Sequence, residues 1–344
     1  MKLSQFKYQY SKNIIAKVPK IPRDGCKLMI VNNEEQSLET KKFRNVIDYL
    51  ESGDVLVLND SKVFPSRLFG TKEKTRAKIE VFLLRQLSKE ENIWDVVVDP
   101  ARKVRIGNRI FFNKNLYCEI IDNTTSRGRI VRFNIKEDFK KIIEKIGRTP
   151  LPPYIKRESD EKDKEYYQSV FSKNTGSVAA PAAGIHFTKE LLKKIENKGV
   201  KIAFITLHIG LGTFRIVEVE DLSKHRMDSE YYEITKENAN IINDGLSRHK
   251  SVVAVGTSVV RALESCTITG KQVRPNKGWT DKFIHPPQSL NIVKKLITNF
   301  HPPQSTHLML VCSLAERDLV MKAYKKAIKE KYKFFAYGDA MMII

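Results

Sequence analysis

Residues 252–265 read VVAVGTSVVRALES, and the change of texture in the middle of this stretch decides the fold class. The run Val252, Val253, Ala254, Val255 is apolar throughout, as expected of a strand buried on both faces. Gly256 interrupts it, and Thr257 and Ser258 supply the oxygens that open a helix. A strand running through glycine into a helix is one step of an α/β layered sheet. Exposed amides and hydroxyls at such a turn can hold an anion, with Arg261 one helical turn further in. An ordinary strand-to-helix cap accounts for the same residues.

Reading outward, the same alternation returns. Thr188 caps a predicted helix through Leu191, Leu192 and Ile195 that ends near Gly199, and KIAFITL (201–207) follows as a strand. A helix is predicted around 238–246 and another over 318–329. Residues 290–296 are read as a helix and 308–311 as a strand. Toward the amino terminus, Ser37 is expected to cap a helix with Phe43, Val46, Ile47 and Leu50 on one face. Residues 54–58 read as a buried strand leading into Asn59, Asp60 and Ser61. The texture between 67 and 135 differs: AKIEVFLLRQL, IWDVVVDP, NRIFFN, LYCEIID and GRIVRFNI are short β-rich runs separated by turn residues, the pattern of an antiparallel barrel or sandwich. Phe139, Ile142, Ile143 and Ile146 form a helical stripe that stops at Gly147. The expected organisation is a discontinuous layered α/β domain, 1–66 and 150–344, with a smaller antiparallel β-barrel domain, 67–149, inserted into it.

A chain of 344 residues with 41% hydrophobic content can build such cores. Its net charge of +21 favours a polyanionic partner, because lysines and arginines displace counterions from phosphates. No RRM, KH or helix-turn-helix pattern is present, so an RNA-acting enzyme fits better than a modular binder. Cys26, Cys118, Cys266 and Cys312 lack CxxC spacing and the histidines lack HExxH spacing, so no metal is predicted and reduced thiols are expected. No apolar run is long enough to span a bilayer and the first residues carry no signal core, so a cytoplasmic chain without membrane contact is expected.

The candidate site residues lie in short segments rich in small or polar residues. GSVAAPAAGIHFT (176–188) and TLHIGLGTF (206–214) set Gly184, Gly210 and Gly212 around His186 and His208, as in two loops closing on a ligand; a pair of tight turns with structural histidines is the competing reading. NDSKVFPSR (59–67) places Asn59, Asp60 and Arg67 at a strand exit, where α/β sheets receive ligands. TNFHPPQST (298–306) carries Asn299, His301 and Ser305 around a Pro-Pro pair. Tyr337 and Asp339 flank Gly338, and HRMDSE (225–230) contains Glu230, a candidate base. GLGTF lacks GxGxxG spacing and no GxxxxGK[ST] occurs, so neither a dinucleotide fold nor a P-loop is supported. His249, His285 and His307 are not singled out.

Taken together these segments resemble the S-adenosylmethionine:tRNA ribosyltransferase-isomerase family of queuosine biosynthesis. PRDGCKL, LVLNDSKVFPSRLFG, LPPYIKR, YYQSVF, GSVAAPAAGIHFT, TLHIGLGTF, VGTSVVRALES, TNFHPPQST and FFAYGDAM carry the resemblance in order through nearly the whole chain. It implies a layered α/β domain with a β-barrel insertion. It also implies transfer and isomerisation of the ribosyl group of S-adenosylmethionine onto 7-aminomethyl-7-deazaguanine in tRNA, giving epoxyqueuosine with loss of adenine and methionine. S-adenosyl-L-methionine would be the ribosyl-donating co-substrate, with no metal, and the tRNA anticodon arm the partner of a monomer or homodimer. His186, His208 and Glu230 are then the catalytic candidates. Asn59, Asp60, Arg67, Gly184, Gly210, Gly212, Thr213, Thr257, Arg261, Asn299, His301, Ser305, Tyr337 and Asp339 are the substrate-binding candidates. The chain departs from the family pattern at the segment around Ala183, which reads APAAG for APTAG, at Asp228, Pro302, His307 and Ala336, at 286–288, and at Lys27. These departures keep two alternatives open, a non-catalytic tRNA-binding relative and a transferase with a different amine acceptor.

Overall fold

The computed structural model describes every residue except 126, 136–138 and 269–270. It divides into two compact units, one of residues 1–62, 152–157 and 166–344, the other of residues 63–151 and 158–165.

The first unit is built on a nine-stranded sheet. From one edge to the other its strands are Asn276–Thr280, Glu230–Ile234, Lys201–Leu207, Val55–Asn59, Val252–Val255, Val293–Asn299, Ala340–Ile343, Lys27–Asn32 and Ser37–Lys42. The four consecutive strands from Lys201–Leu207 to Val293–Asn299 run parallel. Antiparallel partners flank them on both sides. The central strands are buried on both faces, which accounts for their continuous apolar runs. Two apolar cores lie against the sheet, one containing Val57, Ala254, Val260 and Phe300, the other Leu58, Val253, Phe187 and Ile195.

Local signals explain most of the helices. Thr188 accepts a hydrogen bond from the Leu191 amide and caps Lys189–Asn197. Thr235 does the same for Lys236–Ser247. Gly256 has φ +94, in the left-handed region, so only glycine takes the turn from Val252–Val255 into the helix Thr257–Ser265 without strain.

Three expectations are corrected. Ser37 caps no helix: Ser37–Lys42 is the sheet's edge strand, hydrogen-bonded to Lys27–Asn32. The helical stripe survives only as a 3-10 turn, Phe43–Tyr49, that buries Phe43 and Val46. Residues 290–296 are not a helix, because Val293–Asn299 enters the sheet between two other strands. Residues 308–311 are not a strand, because Ser305 caps the helix Thr306–Val311 by accepting from the Leu308 amide at 3.2 Å. Short apolar runs carry no usable period, and pairing or capping decides them.

The second unit holds a closed antiparallel barrel of six strands, in the order Gly128–Phe133, Ile93–Asp99, Lys78–Ser88, Arg67–Lys72, Arg109–Phe111 and Tyr117–Asn123. Alternation along each strand sends Ile79, Val81, Leu83, Val96, Val98 and Val131 inward. Helix Phe139–Ile146 packs Phe139 against Trp94 and Phe133, at ring separations of 5.4 and 4.4 Å. It stops at Gly147, where a Cβ would lie 2.0 Å from the Pro65 carbonyl oxygen.

Candidate active site

A pocket of the first unit opens where parallel strands end, the place where α/β sheets leave backbone and loop side chains free to meet a ligand. Three carboxyl ends of the parallel strands contribute to it: Ile209, Gly212 and Thr213 after Lys201–Leu207, Gly256 to Ser258 after Val252–Val255, and Asn299 to His301 after Val293–Asn299. The helix Thr306–Val311 adds Thr306 and His307. Small residues Ala179 to Ala183 and the rings of Tyr154, Phe214, Phe283 and Phe335 supply apolar walls.

One wall carries a buried ion pair. Glu230 opens the strand Glu230–Ile234, and Arg261 lies in the first turns of Thr257–Ser265. The Gly210 amide donates to Oε1 of Glu230 at 2.7 Å, while the Arg261 guanidinium donates to Oε2. Arg261 is fixed further by bonds to the carbonyls of Lys282 and Thr280, both 3.1 Å. Burial pushes the Glu230 carboxyl above the ordinary carboxylate range, and Arg261 and the Gly210 amide pull against that. The anion that Arg261 meets is therefore the chain's own carboxylate.

A second wall carries two stacked histidines. The rings of His301 and His307 lie 5.1 Å apart at 23°. Nε2 of His301 is 2.8 Å from the Thr298 hydroxyl, and Nε2 of His307 is 3.0 Å from the Thr213 hydroxyl. Burial lowers His307 to about 4 and holds His301 well below the usual histidine range, so both rings are neutral at pH 7.

Asn299 joins the pocket to the core behind it. Its Nδ2 donates to the Phe335 carbonyl at 3.0 Å, and its Oδ1 makes no hydrogen bond of ordinary geometry among the described residues. His186, one of the expected catalytic residues, lies behind this side chain instead of lining the pocket. Its Nδ1 is 3.3 Å from the Cys26 sulfur, its ring packs on Phe43, and burial lowers it to about 4, with Asn299 acting in the opposite direction.

Seven of the expected residues line the pocket together: Gly212, Thr213, Glu230, Thr257, Arg261, Asn299 and His301. Gly210 reaches it through its amide bond to Glu230. The others are engaged elsewhere. Asn59 bonds the Leu207 amide and carbonyl and the Ser258 hydroxyl, fixing two strand ends to each other. Asp60 accepts from Thr206 at 2.6 Å and Asn174 at 3.0 Å. His208 is 2.7 Å from the Ser61 hydroxyl through Nδ1 and stacks on Tyr231. Gly184 packs on Phe171, and Ser305 is a helix cap. Asp339 accepts from the Lys27 and Lys333 amides at 2.7 Å, and Tyr337 meets the Tyr167 ring edge-on. Arg67 belongs to the barrel, paired with Glu80 and lying over Phe82.

Sequence reasoning missed His307, Phe283 and Tyr154. His307 follows a Ser-Thr helix start, the one local signal that could have placed it on a strand-end wall. Several family departures also line this pocket, namely the APAAG segment at Ala182 and Ala183, Asp228, Pro302, His307 and Ala336. Asp228 accepts from Arg215 at 2.8 Å, and Gly212 leaves it room, since a Cβ there would lie 2.7 Å from its carboxylate. Among the described residues no group of three or more His, Cys, Asp or Glu is placed to hold a metal ion, and no helix is long and apolar enough to cross a membrane.

Comparison with known proteins agrees over the full length. A family model described as queuosine biosynthesis protein matches residues 3–343. A protein of Chloroherpeton thalassium named S-adenosylmethionine:tRNA ribosyltransferase-isomerase is 55% identical over the whole of both chains. Proteins of the same name from Sulfurihydrogenibium and Cytophaga hutchinsonii are 53% and 52% identical, again over the whole of both chains. The crystal structure of an S-adenosylmethionine tRNA ribosyltransferase from Thermotoga maritima is 34% identical, covers 99% of this chain with 100% of its own, and superposes with a TM-score of 0.57. A shared fold, a full-length family match and identities above half place this chain in the S-adenosylmethionine:tRNA ribosyltransferase-isomerase family of queuosine biosynthesis.

Proposed function

We propose that this pocket binds S-adenosylmethionine and passes its ribosyl group to the aminomethyl group of 7-aminomethyl-7-deazaguanine in tRNA. The ribosyl unit is isomerised to the epoxycyclopentanediol of epoxyqueuosine, and adenine and methionine leave. The observation that supports this reading best is the meeting of a buried carboxylate with two neutral histidines at the carboxyl ends of parallel strands.

The sulfonium acidifies the adjacent ribose carbon, so a base that removes its proton starts the loss of adenine. We assign that role to Glu230. Arg261 keeps it ionised while burial raises its basicity, and the Gly210 amide fixes its orientation. A carboxylate suffices for this step, so the proposal includes no metal. His301 and His307, uncharged at pH 7, present polar ring edges to the ribose hydroxyls and the departing base. The amides and hydroxyls at Gly256, Thr257 and Ser258 face the methionine carboxylate. Gly212 and Thr213 shape the loop beside it. His186 positions Asn299 from behind, and the remaining candidates hold strand ends in place. The excess of lysine and arginine receives the tRNA anticodon arm, and the work belongs to the cytoplasm, where tRNA is matured.

The test is adenine release by the purified chain. Release from S-adenosylmethionine is expected only with tRNA carrying the aminomethyl-deazaguanine. Binding of tRNA with S-adenosylmethionine left intact would make the chain a non-catalytic relative, and consumption without tRNA would point to another amine acceptor.

A further inference from the structure

On the sheet face turned away from Glu230, three rings form a row across adjacent strands. The Gly176 backbone closes one end, since a Cβ there would lie 2.6 Å from Nε2 of His208. His208 stacks on Tyr231 at 5.7 Å and 23°, and Tyr231 meets Trp279 at 5.8 Å and 72°. Tyr231 and Trp279 are directly opposed in register, and the His208 amide donates to the Tyr231 carbonyl at 2.9 Å. The row rises from a half-buried histidine to a tryptophan that is 53% exposed.

The setting of that indole identifies its partner. Trp279 lies on Asn276–Thr280, the outermost strand of the sheet. Side-chain alternation puts Lys277 on the same face, opposite Glu233, which accepts a bond from the Tyr231 hydroxyl at 3.2 Å. Lysine beside an exposed aromatic ring on a strand surface, in a chain of net charge +21, offers phosphate attraction and base stacking together. A paired helix offers no unstacked base, so the complementary ligand is a single-stranded loop.

We propose that His208, Tyr231 and Trp279 form a stacking platform for one unpaired nucleobase of the RNA substrate, with Trp279 as the contact surface and the other two rings as its support. The proposal rests on the tRNA reading of the pocket and adds to it a second RNA contact. Gly176, on this account, is glycine so that the supporting histidine can seat.

Trp94 is buried in the barrel and is the chain's other tryptophan, so a Trp94→Phe variant reports on Trp279 alone by its fluorescence. An RNA stem-loop with unpaired loop bases is expected to quench that emission, whereas the same stem as a closed duplex leaves it unchanged. In the otherwise wild-type chain, Trp279→Ala is expected to raise Kd for the stem-loop about tenfold or more and KM for tRNA in parallel, with Trp279→Phe restoring most of the affinity. KM for S-adenosylmethionine stays at its wild-type value. Unchanged stem-loop affinity in Trp279→Ala would overturn the platform, as would an equal loss for stem-loop and duplex. Unchanged RNA affinity with a lowered sedimentation coefficient would assign the edge to a second copy of this chain and equally overturn it. Binding and quenching read the platform without turnover, so wild-type protein that binds the stem-loop yet releases no adenine would refute the activity and leave this proposal standing.

Discussion

Glu230 and Arg261 form a buried ion pair that ties the strand Glu230–Ile234 to the helix Thr257–Ser265. Taking two charges out of water is costly, and the pair is sustained by the extra bonds from the Gly210 amide and to the Lys282 and Thr280 carbonyls. Removing one partner leaves the other charged and dry. Arg261→Ala is therefore expected to lower unfolding free energy by roughly 3–5 kcal/mol in a denaturant titration. Arg261→Lys keeps the charge but loses the planar fork, and should fall between the two. Equal stability of wild type and Arg261→Ala would mean that the pair carries no strain of this kind.

The proton-removal role of Glu230 makes a separate kinetic prediction. Glu230→Gln keeps the shape and the contact with Gly210 while abolishing basicity. Adenine release should fall about 100-fold or more, with the affinity for S-adenosylmethionine measured by calorimetry changed much less. Full activity in this variant would move the base elsewhere in the pocket, with His301 and His307 next in line.

Acid should weaken the fold through its buried histidines. Burial holds His186 near 4, below its unfolded value near 6.5, so between those limits the unfolded chain binds a proton that the folded chain refuses. Stability from this group is complete above pH 6.5, declines as pH falls through the window, and levels off below about 4. His186 alone accounts for roughly 3 kcal/mol across the window. Thermal unfolding from pH 7 to pH 4 checks it: His186→Phe should flatten the slope relative to wild type.

Gly176 is set by the ring beside it. A methyl group at this position would sit 2.6 Å from the His208 ring, which is held by Ser61 on one atom and by Tyr231 on its face. Gly176→Ala is expected to cost about 1–3 kcal/mol, and less in a His208→Ala background, where the ring is gone. Additive costs in the double variant would show that the two residues do not press on each other.

Salt should separate the two substrates. A chain of net charge +21 that contacts phosphates releases counterions on binding, so KM for tRNA should rise by about tenfold or more between about 50 and 200 mM salt. KM for S-adenosylmethionine should change little over the same range. A flat tRNA response would assign the basic surface to solvation.

The β-rich runs between 67 and 135, the strand-glycine-helix unit at 252–265 and the capped helix after Thr188 were legible as they stood. Each carries its own period or cap, so local chemistry suffices. The ordered family segments made the activity legible too. Tertiary structure decided the apolar run at 293–299. Val293–Asn299 is a strand because parallel and antiparallel neighbours complete its hydrogen bonds, whereas the run at 308–311 is helical through a local signal, the Ser305 cap of Thr306–Val311. Tertiary structure also decided which histidines face the pocket. His186 and His208 stand in the most distinctive segments, yet one is packed behind Asn299 and the other on the opposite sheet face, while His307 enters from a helix marked only by its Ser-Thr start. Spacing along a chain records which residue types are near a strand end; which way each ring points depends on the packing of elements far apart in sequence.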